Sequence, residues 1–158
     1  MTDELLAEAG NSDSRANFIN GVEFLKREMF SQAGHCFEMA YEKTSYSDAD
    51  YNKYASFCGY VRVINGDRGG LSICREVARN EHSNGDIFYN LAKSEWHFKN
   101  RKRTVDSLMR GLKVDDAHAG ICELCDELSM RKRKVIGFLP RNHAINNILG
   151  KLLRKSTA

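Results

Sequence analysis

The stretch GVEFLKREMFSQAGHCFEMA, residues 21–40, alternates small and aromatic side chains at offsets that suit helices. In chain order these residues are Gly21, Phe24, Phe30, Ala33, Phe37 and Ala40. Small side chains let two helix backbones approach closely, and rings fill the space beside the contact. Two short helices separated by a break account for the pattern, and neither could bury its apolar face alone. The stretch therefore predicts an antiparallel helical hairpin that packs against neighbours.

The composition is that of an ordinary globular protein. The chain has 158 residues, of which 42% are apolar and 28% charged, and this length favours one domain with some decoration. No apolar run reaches about 18 residues, so no membrane-spanning helix is expected. The first residues have no basic start followed by an apolar run, so no secretory signal is expected. Five cysteines at irregular spacing predict reduced thiols and a cytoplasmic location.

The pattern of the opening stretch recurs along the chain. Frames of about 34 residues, a period typical of helical-hairpin repeats, cover residues 14–47, 51–84 and 85–118. Position 8 of the frames holds Gly21, Cys58 and Ala92, and position 20 holds Ala33, Gly70 and Thr104. Side chains at both positions are small, which predicts three hairpins built in the same way.

These frames resemble the tetratricopeptide repeat. The first frame matches the family at five signature positions, whereas the second is degenerate and the third departs at Glu95. All three lack the family's closing proline, and Asp116 stands in its place in the third. The resemblance implies an all-α fold, a right-handed α-α superhelix (TPR-like solenoid) of about three helical hairpins plus a C-terminal capping helix. An ordinary helical bundle is the alternative.

We expect three segments along the chain. Residues 1–13 form an N-terminal segment, either a short helix or disordered, and GNSDS at 10–14 reads as a linker and cap. Residues 14–130 form the array, which ends in a capping helix over 117–130 with apolar residues at helical spacing. Residues 131–158 form a basic amphipathic tail.

The tail differs from the rest of the chain in charge. No Asp or Glu occurs in residues 128–158, which carry eight positive charges. Because the whole chain carries +3, the remainder carries −5. The leading cations of the tail are Arg131, Lys132, Arg133, Lys134 and Arg141.

Three interpretations of the tail stay open. It docks on the array through Phe138 and Leu139, it binds an acidic partner or membrane surface as a basic amphipathic helix, or it contacts nucleic acid. Nothing in it resembles base readout, so nucleic acid is not the favoured partner. The tail resembles those of small proteobacterial tetratricopeptide proteins at Phe138, Leu139, Arg141, Asn146, Leu149 and Gly150.

One cluster could bind metal, and no motif indicates an enzyme. His118, Cys122 and Cys125 share a helix face and could supply three ligands to Zn²⁺, but no fourth ligand is evident and the cysteines fit a core equally well. No phosphate-binding loop, dinucleotide fingerprint or nucleophile–histidine arrangement is evident. We therefore expect no catalysis, no metal and no cofactor.

The family resemblance implies a concave groove lined by the first helix of each hairpin. The family's groove positions fall on Arg15, Phe18, Asn52, Ser56, Gly59, Asp86, Tyr89, Asn90, Lys93 and Trp96. Lys93 and Asn90 would hold a carboxylate or peptide backbone, and Tyr89 and Trp96 would anchor apolar side chains. The alternative for each is a solvated or packing role. The family's carboxylate clamp is not supported, because other residue types occupy three of its places.

The predicted function is a non-catalytic interaction module, an adaptor or scaffold that binds a peptide or partner protein in this groove. The alternatives are a secretion-type or assembly chaperone, which would dimerise, and a basic-tail binder of nucleic acid or an acidic surface. Peripheral membrane contact through the tail and a homodimer stay open.

Overall fold

The described part of the chain is all helical in a computed structural model. The structure describes the backbone of residues 2–79 and 81–128 and the side chains of residues 13–79 and 81–128. Within these residues there are helices and turns and no β-strand, which confirms the all-α prediction. The helices are α1 (Thr2–Lys26), α2 (Phe30–Glu42), α3 (Tyr51–Ile64), α4 (Gly69–Arg79), α5 (Gly85–His97), α6 (Arg101–Val114) and α7 (Ala119–Glu127).

Consecutive helices pair into three hairpins. Hairpin 1 is α1 with α2, hairpin 2 is α3 with α4, and hairpin 3 is α5 with α6. Hairpin 2 contacts both others, through α2 with α3, α4 with α5 and α3 with α5. Helices α3 and α5 begin at Tyr51 and Gly85, the first residues of the second and third sequence frames. Met1–Cys125 form one compact unit, and Asp126–Ala158 form a second that is described only to residue 128.

The three turns inside the hairpins share one hydrogen-bond geometry. Each contains one residue with a left-handed backbone, namely Glu28 (φ 58°), Gly66 (φ 94°) and Lys99 (φ 60°). Bonds with an N···O distance of 2.9 Å then run from the N–H groups of Met29, Asp67 and Asn100 to the C=O groups of Phe24, Arg62 and Glu95. This is the Schellman closure of a helix. The chain therefore reverses in the same way three times.

The small residues of the opening stretch lie at helix contacts. Gly21, Ala33 and Ala40 are buried, as the pattern predicts. A Cβ added to Gly21 would lie 2.7 Å from ring carbons of Phe37. The ring of Phe37 therefore rests on α1 where only a glycine leaves room.

Hairpin 2 has its own close crossing. A Cβ added to Gly59 would lie 2.8 Å from the carbonyl oxygen of Gly70 and 2.9 Å from the Cys74 sulfur. Gly59 therefore faces α4, and it contributes to packing within hairpin 2 and not to a groove as the family positions implied.

Aromatic rings join hairpins 1 and 2. Phe18 stacks on Tyr54 with ring centroids 4.6 Å apart and meets Phe57 edge-on at 5.0 Å. Phe37 lies 5.5 Å from Phe18. Such pairs contribute roughly 0.5–1.5 kcal/mol each beyond the area they bury. The hairpins are thus held by a shared ring cluster.

The predicted linker at residues 10–14 is wrong, because α1 runs unbroken through it. Ser14 is fully buried, and Asp13 forms an ion pair with Lys43 just after α2. These tertiary contacts override the weak helix preference of glycine, asparagine and serine. The N-terminal segment is accordingly helical from Thr2, and α7 lies inside the predicted capping segment.

Candidate functional site

A groove of about 360 Å³ crosses the first helices of the hairpins. It is bounded by the turn of hairpin 1, by one face each of α3 and α5, and by the start of α7. The residues that line it are Leu25, Glu28, Phe30, Phe57, Tyr60, Asp86, Tyr89, Asn90, Lys93, His118 and Gly120. All three hairpins and α7 therefore contribute to one concave site.

Lys93 is the cation of this groove. Its ammonium lies 5.6 Å from the ring centroid of Tyr60 and 5.7 Å from that of Tyr89, and it forms no ion pair with a carboxylate of the described residues. Burial alone would lower the pKa of Lys93, but charge interactions and hydrogen bonds with the two phenols outweigh burial and hold that pKa above its ordinary value. A lysine that stays protonated is suited to charge recognition and not to nucleophilic chemistry.

His118 closes one end of the groove. Its Nδ1 accepts a hydrogen bond from the N–H of Ile121 at 3.2 Å, so Nε2 carries the proton and donates to Asp86 Oδ1 at 3.0 Å. The Tyr89 ring lies 5.5 Å from the imidazole, and a Cβ on Gly120 would lie 2.9 Å from that ring. Helix α7 is thereby tied to α5, and both nitrogens of His118 are occupied.

Ser56 and Asn90 hydrogen-bond to each other beneath the groove. The Asn90 amide donates to Ser56 Oγ at 3.1 Å, and both residues are almost completely buried. The backbone carbonyl of Asn90 accepts a hydrogen bond from Ser94 Oγ at 2.8 Å. Although Asn90 lines the groove floor, this pair joins α3 to α5, and Ser56 does not reach the ligand space.

Four other predicted groove residues lie outside it. Phe18 is buried in the ring cluster between hairpins 1 and 2. Arg15 is exposed and Asn52 partly exposed, and neither lines the groove. Trp96 is partly buried beside Lys99, whose ammonium lies 5.7 Å from its ring. The structure thus brings together Asp86, Tyr89, Asn90 and Lys93 from the predicted set.

Sequence reasoning missed Phe57 and Tyr60, which form the α3 wall of the groove. They are three positions apart in the sequence, and that spacing places two side chains on the same helix face. This spacing was the available signal. It was weak, because α3 buries residues around most of its circumference and has no clear amphipathic stripe.

The metal candidates do not assemble. No group of three or more potential ligands could hold a metal ion among the residues that the structure describes. Both ring nitrogens of His118 are engaged in hydrogen bonds, and the Cys122 thiol donates to the backbone carbonyl of Asp116 at 3.6 Å. The basic tail residues Arg131, Lys132, Arg133, Lys134 and Arg141 lie outside the described residues.

Neither a protein-family model nor a curated protein matches the chain. In the part that the structure covers, no helix is both long and apolar enough to cross a membrane.

Proposed function

We propose that the chain is a tetratricopeptide-like array, a right-handed superhelix of three hairpins capped by α7, that binds a peptide segment of a partner protein. It acts as an adaptor or scaffold and performs no catalysis. One observation carries the proposal. The groove has walls from every hairpin, and between two of its rings lies an ammonium that forms no ion pair with a carboxylate of the described residues.

Backbone geometry supports the repeat interpretation independently of residue type. The three hairpin turns use the same closure although Glu28, Gly66 and Lys99 differ in chemistry. Burial gives further support, because Ala33 and Thr104 occupy position 20 of the first and third frames and both are fully buried. Units that share backbone geometry and stack only on neighbours are typical of repeat arrays.

The groove indicates the chemistry of its ligand. Lys93 would bind a carboxylate, either an acidic side chain or a chain terminus, since a charge-assisted hydrogen bond contributes about 1.5–3 kcal/mol. Phe57, Tyr60 and Tyr89 would contact apolar side chains beside that carboxylate. The ligand is therefore an apolar segment with at least one acidic group.

The thiols support a reducing compartment, and we propose the cytoplasm. Cys36, Cys58, Cys74 and Cys122 form no disulfide in the described residues. Burial raises the pKa of Cys58 to about 11 and that of Cys74 to about 12, so these thiols stay protonated and act as small core side chains.

The test is a selection of displayed random peptides on the full chain, followed by calorimetric affinities for the enriched peptides. We expect acidic groups among apolar residues in those peptides. Lys93→Met keeps most of the unbranched side chain, one atom shorter, and removes its charge. It should weaken binding by about 10–100-fold, the equivalent of one charge-assisted bond.

Lys26→Met is the matched control, because Lys26 is exposed on α1 and does not line the groove. It should leave the affinity within twofold. Enriched peptides without acidic groups, or equal affinity for the Lys93→Met protein, would rule out the groove as the site.

A further inference from the structure

Helix α6 presents a basic stripe on its outer side. Its inner side is buried through Thr104, Ser107, Leu108 and Gly111. The exposed residues at helical spacing on the opposite side are Lys102, Arg103, Asp106, Met109, Arg110 and Lys113. Four of these six are cations and one is an acid, and none lines the groove. This surface is separate from the proposed peptide site.

The cations of the stripe are not neutralised by acidic neighbours. Lys102, Arg103 and Lys113 form no ion pair with any residue that the structure describes. The buried carboxylate of Glu95 is already engaged by Arg75, at 2.7 and 3.0 Å, and by the Asn100 amide at 2.8 Å. Its charge is therefore balanced within the protein, and the stripe keeps a positive potential.

Arg110 is held in place by two contacts. Its guanidinium lies 4.7 Å from the ring centroid of Phe88 and donates to the carbonyl of Ala78. Arg103 and Arg110 line a surface depression of about 250 Å³, together with Arg75 and the carboxylates of Glu95 and Asp106. No ion pair joins Asp106 to a cation of the stripe among the described residues. A guanidinium with restricted rotamers loses less entropy when it binds an anion, and its planar fork matches the oxygens of a phosphate.

We propose that this basic stripe binds the phosphate backbone of double-stranded nucleic acid without reading its sequence. From Lys102 to Lys113 the stripe is about 16 Å long at 1.5 Å per residue. A DNA duplex carries one charge per about 1.7 Å of axis, so several phosphates fall within reach.

The side chains of the stripe favour this ligand over others. Helix α6 contains no aromatic residue, so it offers no platform for stacking unpaired bases. It contains no Asn or Gln to read base edges in the groove of a duplex. Phosphate contacts need only Lys and Arg.

The test measures binding of the full chain to a fluorescent DNA duplex and to an unrelated duplex of equal length over a salt series. We expect equal affinity for both. The Lys102→Gln/Arg103→Gln protein should bind more weakly, and its slope of log K against log salt should be shallower by about 1.8, since each lost contact removes about 0.9. The control is Lys26→Gln/Arg27→Gln, which changes the net charge equally at the end of α1 and in the turn after it, and should keep the wild-type slope.

Four outcomes would overturn the proposal: no duplex binding at low salt, an unchanged slope in the α6 variant, an equal loss in the α1 variant, or preference for one sequence. Poly-glutamate serves as competitor. If poly-glutamate displaces the duplex as effectively as unlabelled DNA does at the same concentration of negative charge, the stripe is a site for acidic protein. The nucleic-acid assignment would then be wrong. Thermal melting of each variant excludes unfolding as the cause.

Discussion

At the scale of single residues, one buried carboxylate orders the connection between hairpins 2 and 3. Glu81 Oε1 accepts hydrogen bonds from the N–H groups of His82, Ser83 and Asn84 at 2.9, 2.7 and 3.1 Å, and from Ser83 Oγ at 2.9 Å. Burial alone would raise the pKa of Glu81, but these bonds outweigh it and lower that pKa below its ordinary value. The loop is thus folded around an ionised side chain.

This carboxylate makes stability depend on pH. Because the pKa of Glu81 is lower in the folded state, its contribution is complete above the unfolded pKa of about 4.3 and is lost as pH falls through the folded value. Glu81→Gln replaces charge-assisted bonds by neutral ones and should lower the free energy of unfolding by about 1–2 kcal/mol at pH 7. Urea unfolding of both proteins from pH 7 to pH 3 measures this difference, which should shrink at the acid end.

Glu123→Gln provides the control, because Glu123 is exposed on α7. Its effect on unfolding should stay within about 0.5 kcal/mol of zero across the series. If Glu81→Gln lowered the free energy of unfolding as much at pH 3 as at pH 7, the role of an ionised Glu81 carboxylate would be contradicted.

At the scale of helices and turns, the common reversal depends on a left-handed residue. Only glycine adopts that conformation without cost, and other residues lose roughly 1–2 kcal/mol there. Gly66 meets this requirement, whereas Glu28 and Lys99 are held in it by the surrounding hydrogen bonds. Two of the three turns are therefore strained.

The strain predicts that glycine gives a more stable protein than alanine at positions 28 and 66. Glu28→Gly should be more stable than Glu28→Ala by about 1 kcal/mol, since both remove the same carboxylate and only alanine keeps the strain. Gly66→Ala should lower the free energy of unfolding by about as much relative to the wild type. Because a Cβ at this position meets no atom within 4 Å, the variant tests the backbone conformation alone. Chemical unfolding of the three variants measures both differences. An alanine at position 28 that equals glycine would show that the turn relaxes.

The elements were predictable from sequence where packing selects residue type. Small side chains at Gly21, Ala33 and Ala40 mark helix contacts, because nothing larger fits them. The break between α1 and α2 was predicted, but the left-handed residues of the first and third turns were not, since Glu28 and Lys99 are not turn-forming residues. The linker at residues 10–14 was predicted wrongly because the contacts of Ser14 and Asp13 are not visible in the local sequence.

The groove was predictable only in part. Family positions located Lys93 and Tyr89, which lie about one turn apart on α5. They did not reveal that the side chains of Ser56 and Asn90 hydrogen-bond to each other. Nor did they reveal that His118, the residue before α7, lies beside Tyr89, since this contact depends on how hairpins stack and leaves no local pattern.

At the scale of the whole molecule, the chain divides into two units, Met1–Cys125 and Asp126–Ala158. The compact unit Met1–Cys125 contains the ring cluster, the groove and the basic stripe of α6. A repeat array of the kind proposed is stabilised by nearest-neighbour contacts, so this unit should fold without residues 129–158.

Removal of residues 129–158 tests this independence. The shortened chain should retain the circular-dichroism signal expected for α1 to α7 and a single cooperative thermal transition. The full chain is the reference under the same buffer and concentration. A collapse of helicity on truncation would show that the tail belongs to the core of the array.

The position of Lys93 gives the proposed peptide site a mechanical consequence. Its ammonium attracts one ring on α3 and one on α5, and so helps to set the distance between hairpins 2 and 3. A carboxylate bound at Lys93 would draw the ammonium away from the rings and weaken that attraction. By reciprocity, a force that separates the two hairpins would change the affinity for the carboxylate, so occupancy of the groove and tension along the chain would be coupled.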